Sequence, residues 1–295
     1  MEKMQLNLAV VTVNWQRALD TIECVSSLLK CNVPINHIFI IDNGSTDDSI
    51  SLLRSNFPDG NIIALDKNYG FTGGYNFGIQ HALTNRYSRY SHIFLINNDT
   101  VAEHNSIHAL LESPWDIAIP KIVFYNEPNH IWAAGCRLRR IPPSISYIGH
   151  NKLDSPTFNI PYPLDYATGC ALMVKRVVFE KIGGFDTIYE SYYEDYDFCH
   201  RVRQVGYTIG YVPQSKILHK VSRSLGEYSP HRWQLIGRNL VIFYRKDNRF
   251  PWRSLCIYLV WISIREIILG HVRILPVFFK GVREGLKLIT QDEVT

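Results

Sequence analysis

Long apolar runs and paired cysteines are both missing from this chain of 295 residues. Its longest uncharged run near the carboxyl end reaches only from Ser254 to Ile264, whereas a membrane-spanning helix needs about 20 residues. The apolar run at the amino end has about seven residues, too few for a secretory signal. The six cysteines form no C-x-x-C pair, so neither a zinc ribbon nor a disulfide framework is expected. These absences predict a cytoplasmic protein with buried, reduced thiols.

Two nucleotide-binding signatures are absent as well. The chain contains neither a G-x-x-x-x-G-K-[S/T] loop nor a G-x-G-x-x-G turn, which disfavours a P-loop ATPase and a dehydrogenase. The segment Asn14–Arg17, after the first apolar run, also lacks the glycine-rich loop of a sugar-1-phosphate nucleotidyltransferase. The net charge of +4 is too small to indicate a nucleic-acid-binding protein.

The amino-terminal third of the chain alternates between strand and helix patterns. Apolar, β-branched runs lie at Leu6–Val13, His37–Ile41, Asn61–Leu65 and His92–Ile96. Helical patterns follow them at Arg17–Lys30, Asp47–Asn56, Tyr75–Thr84 and Glu103–Leu111. This alternation predicts an α/β fold with a central, mainly parallel sheet flanked by helices. A further helix is expected to begin near Glu194, and a helical carboxyl-terminal region near Tyr228.

A polar turn follows each of the predicted strands. The residues in these turns include Asn14, Asp42, Asn68 and Asp99. Parallel sheets bind their ligands at this edge. Asp42 is placed to accept hydrogen bonds from a nucleoside, and the carboxylate of Asp99 could hold a divalent metal. Ser45 or Thr46 is expected to cap the following helix.

A glycine-rich segment, Asn68–Gly78, leads into the third predicted helix. Backbone N–H groups near Gly73 and Gly74 could bind an anion there. The alternative is that these glycines only permit a tight turn between strand and helix. The motif alone leaves both interpretations open.

Carboxylates are concentrated at Glu194–Asp197, where a helix is predicted to begin. Asp197 and Arg201 are spaced for an ordinary i,i+4 ion pair. Three carboxylates in four residues exceed what a helix start requires, because like charges repel. A general base is the functional interpretation of this cluster. His219, taken alone, is more typical of a structural residue.

Taken in order, these segments resemble the inverting family-2 glycosyltransferases of GT-A fold. The motifs that carry the resemblance are Val11–Asn14, Ile41–Thr46, Asn68–Asn76, Leu95–Asp99, Thr168–Met173, Gly184–Asp186, Glu194–Arg201 and His219. They run through most of residues 7–225. Their details are similar to the bacterial rhamnosyltransferase and galactofuranosyltransferase-like branch, which acts in the assembly of O-antigen, capsule and cell wall.

The resemblance implies roles for individual residues. The nucleotide sugar would be bound by Thr12, Asn14, Asp42, Asn68, Gly73, Gly74, Asn98 and Asp99. Asp99 and His219 would share a Mg²⁺ or Mn²⁺ ion, and Asp195 would be the general base with Glu194 beside it. The family's D-x-D metal signature begins here with Asn97, which offers a neutral carbonyl oxygen in place of a carboxylate.

The resemblance also implies a nucleotide-sugar donor and a saccharide acceptor linked to a polyprenyl diphosphate. The expected donor is dTDP-L-rhamnose, and the alternatives are UDP-galactose, UDP-galactofuranose or another UDP-sugar. A sugar-nucleotide-binding module without activity is the alternative from a different class. The departure at Asn97 keeps that alternative open, whereas the presence of Glu194, Asp195 and His219 argues against it.

The carboxyl-terminal region is both basic and apolar. Between Arg245 and Lys287, nine basic residues stand against three acidic ones. This composition predicts an amphipathic pair of helices on an anionic membrane surface, at the cytoplasmic face of the inner membrane. A helical bundle packed on the catalytic domain, or on the second subunit of a homodimer, is the alternative. The predicted organisation is a GT-A catalytic domain at residues 1–225 and a helical region at 226–295.

Overall fold

Strands and helices alternate through the first half of the chain in a computed structural model, which describes residues 7–85, 90–140, 143–221, 229–246 and 252–292. The strands are β1 (Leu8–Asn14), β2 (Ile38–Asp42), β3 (Asn61–Ala64), β4 (His92–Ile96), β5 (Thr100–Ala102), β6 (Ile117–Phe124), β7 (Ile131–Ala133), β8 (Cys136–Arg140), β9 (Pro143–Tyr147), β10 (Tyr162–Pro163), β11 (Ala171–Lys175) and β12 (Ile209–His219). The helices are α1 (Ala18–Lys30), α2 (Ser49–Asn56), α3 (Gly70–Thr84), α4 (Ser106–Leu111), α5 (Arg176–Ile182), α6 (Glu194–Gln204), α7 (Pro230–Lys246), α8 (Trp252–Ile268) and α9 (Leu275–Asp292).

One large sheet contains most of the strands. Their order is β10-β12-β6-β11-β4-β1-β2-β3, with β5 paired to β12 and β7 to β6. Strands β4, β1, β2 and β3 are parallel to one another, and β6 is parallel to β12. Strand β11 runs antiparallel to both of its neighbours, β4 and β6. The mainly parallel sheet with flanking helices confirms the predicted α/β class.

Alternate residues of β1 face two different helical layers. Ala9 and Val11 belong to the core that contains α3, whereas Leu8 and Val10 belong to the core that contains α1. Helix α3 can approach β1 closely because Gly78 has no side chain. A Cβ atom at this position would overlap the side chain of Val11. The sheet is therefore buried on both faces, as parallel sheets usually are.

The predicted strands are confirmed to within two residues at each end, but the start of the second helix was predicted wrongly. Helix α2 begins at Ser49 and not at Asp47. The predicted cap is absent because the hydroxyl oxygens of Ser45 and Thr46 instead accept hydrogen bonds from the main-chain N–H (2.9 Å) and the side-chain Nε2 (2.9 Å) of Gln16. Because the side chain of Ser45 also bonds back toward the end of β2, it does not cap the helix.

The next two helices also begin at other residues than predicted. Helix α3 begins at Gly70, five residues before Tyr75, and Asn68 accepts the N–H of Gly70 just ahead of it (2.8 Å). Helix α4 begins later than Glu103, because the residues before it form β5 and pair with β12. The difference at α4 therefore arises from strand pairing that lies outside the local pattern.

Helices α7 and α9 cross at short range. A Cβ atom at Gly237 would collide with the carbonyl of Phe278, and one at Gly281 with the carbonyl of Gln234. The helical region expected near Tyr228 begins, in the described residues, with α7, and Tyr228 itself lies outside them. Among the described helices, none has the length and apolarity required to cross a bilayer.

Candidate active site

A chain of side-chain hydrogen bonds joins the ends of β1, β2 and β4. Asn98 Nδ2 donates to Thr21 Oγ1 (3.0 Å), and Thr21 Oγ1 donates to Asn14 Oδ1 (2.8 Å). Asn14 Nδ2 in turn donates to Asp42 Oδ1 (2.7 Å). Thr21, from α1, is the link between the strands. Three of the residues predicted to bind the nucleotide sugar therefore lie together at one edge of the sheet.

The carboxylate of Asp42 is almost completely buried, with 1% of the residue exposed. Besides Asn14 and the hydroxyl of Ser45, the N–H of Ser45 donates to its Oδ2 (3.0 Å). Since Oδ2 accepts one bond from the protein, it keeps capacity for a second donor. Thr12 lies on the same face of β1 as Asn14, and neither residue has exposed surface. The side chain of Thr12 is beneath the site and not at its surface.

Asp99 and His219 meet where β4 and β12 end. His219 Nε2 lies 3.3 Å from Asp99 Oδ1, and both side chains are buried. Strand β12 brings His219 there by pairing with β5, where it stands opposite Thr100. The ring of Trp132 packs edge-on against the imidazole, with centroids 4.4 Å apart. His219 Nδ1 is buried without a hydrogen-bond partner.

This pair has the chemistry of a divalent-metal site that is only partly built from protein. A carboxylate oxygen and an imidazole nitrogen both suit ions such as Mn²⁺, and Asp99 Oδ1 and His219 Nε2 face each other at 3.3 Å. Across the described ranges, no three His, Cys, Asp or Glu side chains are grouped to hold an ion by themselves. The two donors therefore fit an ion that takes its other oxygen ligands from substrate phosphates.

Asn97 stands where the D-x-D signature has its first carboxylate. Its Oδ1 accepts a hydrogen bond from the hydroxyl of Tyr75 in α3 (3.0 Å). Its main-chain N–H donates to the carbonyl of Cys170, just before β11 (2.9 Å). The neutral amide thus ties β4 to two neighbouring elements and adds no charge beside Asp99.

Asp195 lies in the first turn of α6 and is buried beside β11. Its Oδ2 accepts the N–H of Gly169 (2.9 Å), and its Oδ1 accepts the N–H of Tyr196 (2.8 Å). Burial raises the pKa of Asp195 to about 6, although these N–H donors act to lower it. At neutral pH the carboxylate is therefore ionised but more basic than an exposed aspartate, as a general base requires.

Glu194, the neighbour of Asp195 in the chain, is also buried, but its Oε2 has no hydrogen-bond partner. Burial raises the pKa of Glu194 well above its usual value, and the neighbouring charge of Asp195 raises it further. Burial thus raises the pKa of both acids, and the two N–H donors counteract this effect at Asp195. The remaining titratable groups around Asp195 also have pKa values raised by burial; they are Tyr147, Tyr193, Tyr196, Cys136 and Cys199.

The third acid of this cluster has a structural environment. Asp197 Oδ2 accepts from Arg201 Nε at 2.7 Å, which confirms the predicted i,i+4 pair. Arg201 also donates to the carbonyls of Ile182 (3.0 Å) and Gly184 (2.8 Å). The pair therefore joins α6 to the turn after α5.

Gly73 and Gly74 lie inside the first turns of α3, so of the two interpretations that the sequence left open, a tight turn between strand and helix does not apply to them. Both are buried, and a Cβ atom at Gly74 would come within 2.9 Å of the side chain of Val13. Close approach of α3 to β1 explains this glycine. An anion site near the pair stays a prediction.

The segment Thr168–Cys170, just before β11, joins the two halves of the site. Its glycine N–H binds Asp195, and its cysteine carbonyl accepts the N–H of Asn97. Because β11 is antiparallel to β4, its first residues lie beside the end of β4. Burial raises the pKa of Tyr75, and carboxylates from both halves of the site add smaller contributions. The Asp99–His219 pair and Asp195 therefore share one edge of the sheet.

Several residues that build this arrangement have no role in the sequence interpretation. Gly169 and Tyr75 stand within motifs that carry the resemblance, so motif membership could have pointed to them. Trp132 stands in none of those motifs. Its contact with His219 exists only in the folded chain, and no local pattern could have indicated it.

The fold is that of the GT-A glycosyltransferases. The crystal structure of GalNAc-T7 with UDP, GalNAc and Mn²⁺ matches with a TM-score of 0.60 and 15% identity, over 82% of this chain and 50% of that chain. The mannosyltransferase PcManGT from Pyrobaculum calidifontis, in complex with GDP-Man and Mn²⁺, matches with a TM-score of 0.54 and 14% identity, over 98% of this chain and 79% of that chain.

A family model described as glycosyl transferase family 2 matches residues 9–183, which is more than half of the chain. The chain belongs to glycosyltransferase family 2. A second model, described as the N-terminal domain of galactosyltransferase, matches residues 149–223. The family predicted from the motifs is thus confirmed, and the protein is a glycosyltransferase.

Two relatives narrow the comparison. The low-salt glycan biosynthesis hexosyltransferase Agl10 of Haloferax volcanii is 23% identical over 95% of this chain and 91% of that protein. The N-acetylglucosaminyl-diphospho-decaprenol L-rhamnosyltransferase of Mycobacterium tuberculosis is 27% identical, over 43% of this chain and 36% of that protein. The second alignment covers much less than two thirds of either protein.

Proposed function

We propose that the protein transfers a hexosyl unit from a nucleotide sugar to a hydroxyl group of a saccharide acceptor, with inversion at the anomeric carbon. The observation that carries this proposal is the meeting of two chemistries at one sheet edge. The Asp99–His219 pair suits a diphosphate-bound cation, and the buried carboxylate of Asp195 suits proton removal. The predicted domain at residues 1–225 would contain this chemistry, and the helical region at 226–295 would support it.

Asp195 would remove the proton of the attacking hydroxyl. The acceptor oxygen forms a bond to the anomeric carbon while the bond from that carbon to the diphosphate oxygen breaks. The proton moves to the carboxylate of Asp195, which the N–H groups of Gly169 and Tyr196 hold in place beforehand. Glu194, being protonated, adds no second negative charge next to the base. One displacement of this kind inverts the anomeric configuration.

The nucleoside would bind at the ends of β1 and β2. Asp42 Oδ2 keeps acceptor capacity for the imide N–H of a pyrimidine base or for a ribose hydroxyl. Asn98 and Asn68 are proposed to lie near the diphosphate sugar, together with the N-terminus of α3. Thr12, which has no exposed surface, would support Asn14 from below.

Asp99 and His219 would hold a Mg²⁺ or Mn²⁺ ion. When bound, such an ion supplies positive charge that stabilises the departing diphosphate. The titles of both structural neighbours name Mn²⁺ together with a nucleotide or nucleotide sugar, which supports this assignment. Because Asn97 contributes no charge, we expect the ion to bind weakly until a nucleoside diphosphate is present.

The proposed donor is dTDP-L-rhamnose, and the proposed acceptor is a saccharide linked to a polyprenyl diphosphate. The name of the mycobacterial relative, a decaprenol-linked rhamnosyltransferase, supports both. The alternative donors are UDP-galactose and UDP-galactofuranose. The match of residues 149–223 to a galactosyltransferase domain favours that alternative.

The donor is tested by supplying one nucleotide sugar at a time with Mn²⁺ and a short-chain polyprenyl-diphosphate saccharide. We expect dTDP-L-rhamnose to release its nucleoside diphosphate fastest, with UDP-galactose, UDP-galactofuranose and GDP-mannose as comparisons. An Asp195→Asn preparation controls for contaminating hydrolases. Turnover of a UDP-sugar alone would contradict the donor but not the transfer. Donor binding without turnover of any sugar would favour the non-catalytic module.

The two adjacent acids should respond differently to amide substitution. Asp195→Asn removes the base and should lower kcat by about 10² to 10⁴ while donor affinity persists. Glu194→Gln replaces a protonated acid by a neutral amide of the same shape and should leave kcat within about tenfold of wild type. Steady-state kinetics at saturating donor measure both. An Asp195→Asn enzyme that keeps more than about a tenth of wild-type kcat would reject the base.

The pH profile follows from the same carboxylate. Because the pKa of Asp195 is raised to about 6, protonation removes the base as the pH falls through that value. We expect kcat/KM to fall about tenfold per unit at lower pH and to level off at higher pH. A rate that stays constant from pH 5 to about pH 7 would contradict this role.

Metal binding is tested independently of turnover. His219→Ala should weaken the affinity for Mn²⁺ in the presence of dTDP by about 10- to 100-fold, measured by titration calorimetry. His108→Ala is the control, since His108 is an exposed residue of α4 paired with Glu112. Equal Mn²⁺ affinities of His219→Ala and wild type would remove His219 from the metal site.

We further propose that α8 rests on an anionic membrane. One face of this helix is apolar and exposed, with Ile257 at 53%, Val260 at 60%, Ile264 at 53% and Ile268 at 77% exposure. The spacing of these residues places them along one side of the helix. On the other side, Tyr258 borders a small cavity with Tyr193 and Tyr196, which flank Asp195. A lipid-linked acceptor at the exposed face would thus be close to the base.

Charge favours a lipid surface over a second copy of the chain. Within residues 252–288, the exposed charged side chains are Arg253, Arg273, Lys280, Arg283 and Lys287. The two acids of this stretch are not exposed: Glu266 is buried, and Glu284 accepts hydrogen bonds from Gln234. A twofold contact would bring like charges together, whereas anionic lipids complement them.

Flotation with vesicles tests this surface. Wild type should float with vesicles that contain phosphatidylglycerol and much less with phosphatidylcholine alone. The double substitution Val260→Glu with Ile264→Glu should reduce flotation about tenfold or more. Val177→Glu is the matched control, because Val177 is an exposed apolar residue on another helix, α5. Unchanged flotation of the double variant, or its conversion from dimer to monomer, would contradict membrane docking.

A further inference from the structure

The loop that precedes the two acids, residues 188–193, has an unusual backbone. Glu190, Tyr192 and Tyr193 have φ angles of +60°, +68° and +73°. Side chains other than glycine seldom adopt this left-handed region, and such residues persist only where their surroundings impose it. Tyr193 is directly followed by Glu194, the first residue of α6. Something outside the loop must therefore hold it in this conformation.

Asn239 in α7 supplies that constraint. Its Nδ2 lies 2.7 Å from the carbonyl oxygen of Tyr189, 2.7 Å from that of Ser191 and 2.8 Å from that of Tyr192. Asn239 is fully buried. Without its amide, these carbonyls would lose a donor that buried acceptors require. A single side chain thus gathers three carbonyls of the loop.

Arg238 fixes the orientation of that amide. Its Nε donates to Asn239 Oδ1 (2.9 Å), which leaves the NH₂ group directed at the loop. Its Nη2 donates to the carbonyls of Ile188 (2.8 Å) and Tyr189 (3.1 Å). Arg238 and Asn239 together therefore form hydrogen bonds to four of the six residues in the loop, and Arg238 Nη1 also lies 4.0 Å from the carboxylate of Glu190.

The position of the loop sets the position of the base. The carbonyl of Tyr193 accepts the N–H of Asp197 (2.9 Å), so the end of the loop is also the start of α6. Asp195 must stand within hydrogen-bond reach of Gly169 for its anion to be stabilised. The loop also reaches the donor side, because the carbonyl of Glu190 accepts the N–H of Thr72 in α3. A shift of the loop would move the acid relative to both.

We propose that Asn239, oriented by Arg238, is a positioning residue for glycosyl transfer, which holds the 188–193 loop so that Asp195 meets Gly169 and the acceptor hydroxyl. This inference rests on the proposed role of Asp195 as the base. The amide is required because it donates. A carboxylate at position 239 has the same shape but no N–H, and it would face the three carbonyls with a negative charge.

The test compares Asn239→Asp with wild type at a temperature well below unfolding. We expect kcat to fall about 10²-fold, as a misplaced reacting group produces, with unchanged calorimetric affinity for dTDP and Mn²⁺. The apparent pKa in kcat/KM should rise above its starting value of about 6, because Asp195 loses the N–H of Gly169. Asn56→Asp is the control, since Asn56 is an exposed residue of α2 that bonds only within its own helix.

Two other results would overturn the inference or refute the proposed base. A normal kcat and an unmoved pH profile in Asn239→Asp, with only the unfolding temperature lowered, would overturn the inference. Asp195→Asn is assayed in parallel: full activity there would instead refute the proposed base. Should Asn239→Asp not fold, Arg238→Met keeps the amide but frees its orientation. That variant should show the same upward pKa shift with a smaller loss of kcat, and a wild-type profile would equally overturn the inference.

Discussion

The reversed direction of β11 determines where the reactive groups of this enzyme can lie. A fully parallel sheet would collect only strand ends at its ligand edge. Because β11 runs against β4 and β6, the residues before it arrive at that same edge. There the N–H of Gly169 meets Asp195, and the carbonyl of Cys170 meets Asn97. The side of the site that contains Asp99 and the side that contains Asp195 are therefore coupled through main-chain atoms, whose positions the sheet itself fixes.

Periodicity predicted strands β1 to β4 and the start of α1 well but the starts of α2, α3 and α4 poorly, for a physical reason. Buried strands such as β4 consist mostly of apolar residues, and such apolar runs are visible in the sequence. The start of a helix depends on whether a short polar side chain bonds to the first N–H groups of the helix or to another residue. Ser45 could have capped α2, but it bonds to Asp42, and Asn68 accepts the N–H of Gly70 ahead of α3. Such choices are made by residues that are distant along the chain or by the folded loop.

The candidate site shows the same division. Asp42, Asp99 and Asp195 could be selected from the sequence because each follows a strand or begins a helix. Their individual properties could not, since a carboxylate is bonded to serine and asparagine at Asp42, paired with an imidazole at Asp99, and buried with two N–H donors at Asp195. The pKa values of Glu194 and Asp195, which are neighbours in the chain, are shifted differently, in part because of Gly169, a residue distant in sequence. The residue types of the site could be predicted from the sequence, whereas their hydrogen bonds and pKa shifts depend on the folded structure.

Contacts of the candidate site also cross the predicted domain boundary at residue 225. The proposed chemistry lies before that position, but Asn239 lies after it and reaches back to three carbonyls beside the acids. Helix α7 is in turn held against α9 at Gly237 and Gly281, where any side chain would separate the helices. Helix α8 exposes its apolar face on the outside of this assembly. If that face rests on lipid, the same helices that fix the base also determine how the site is oriented toward a lipid-linked acceptor. Attachment and catalysis would then depend on one set of helix contacts.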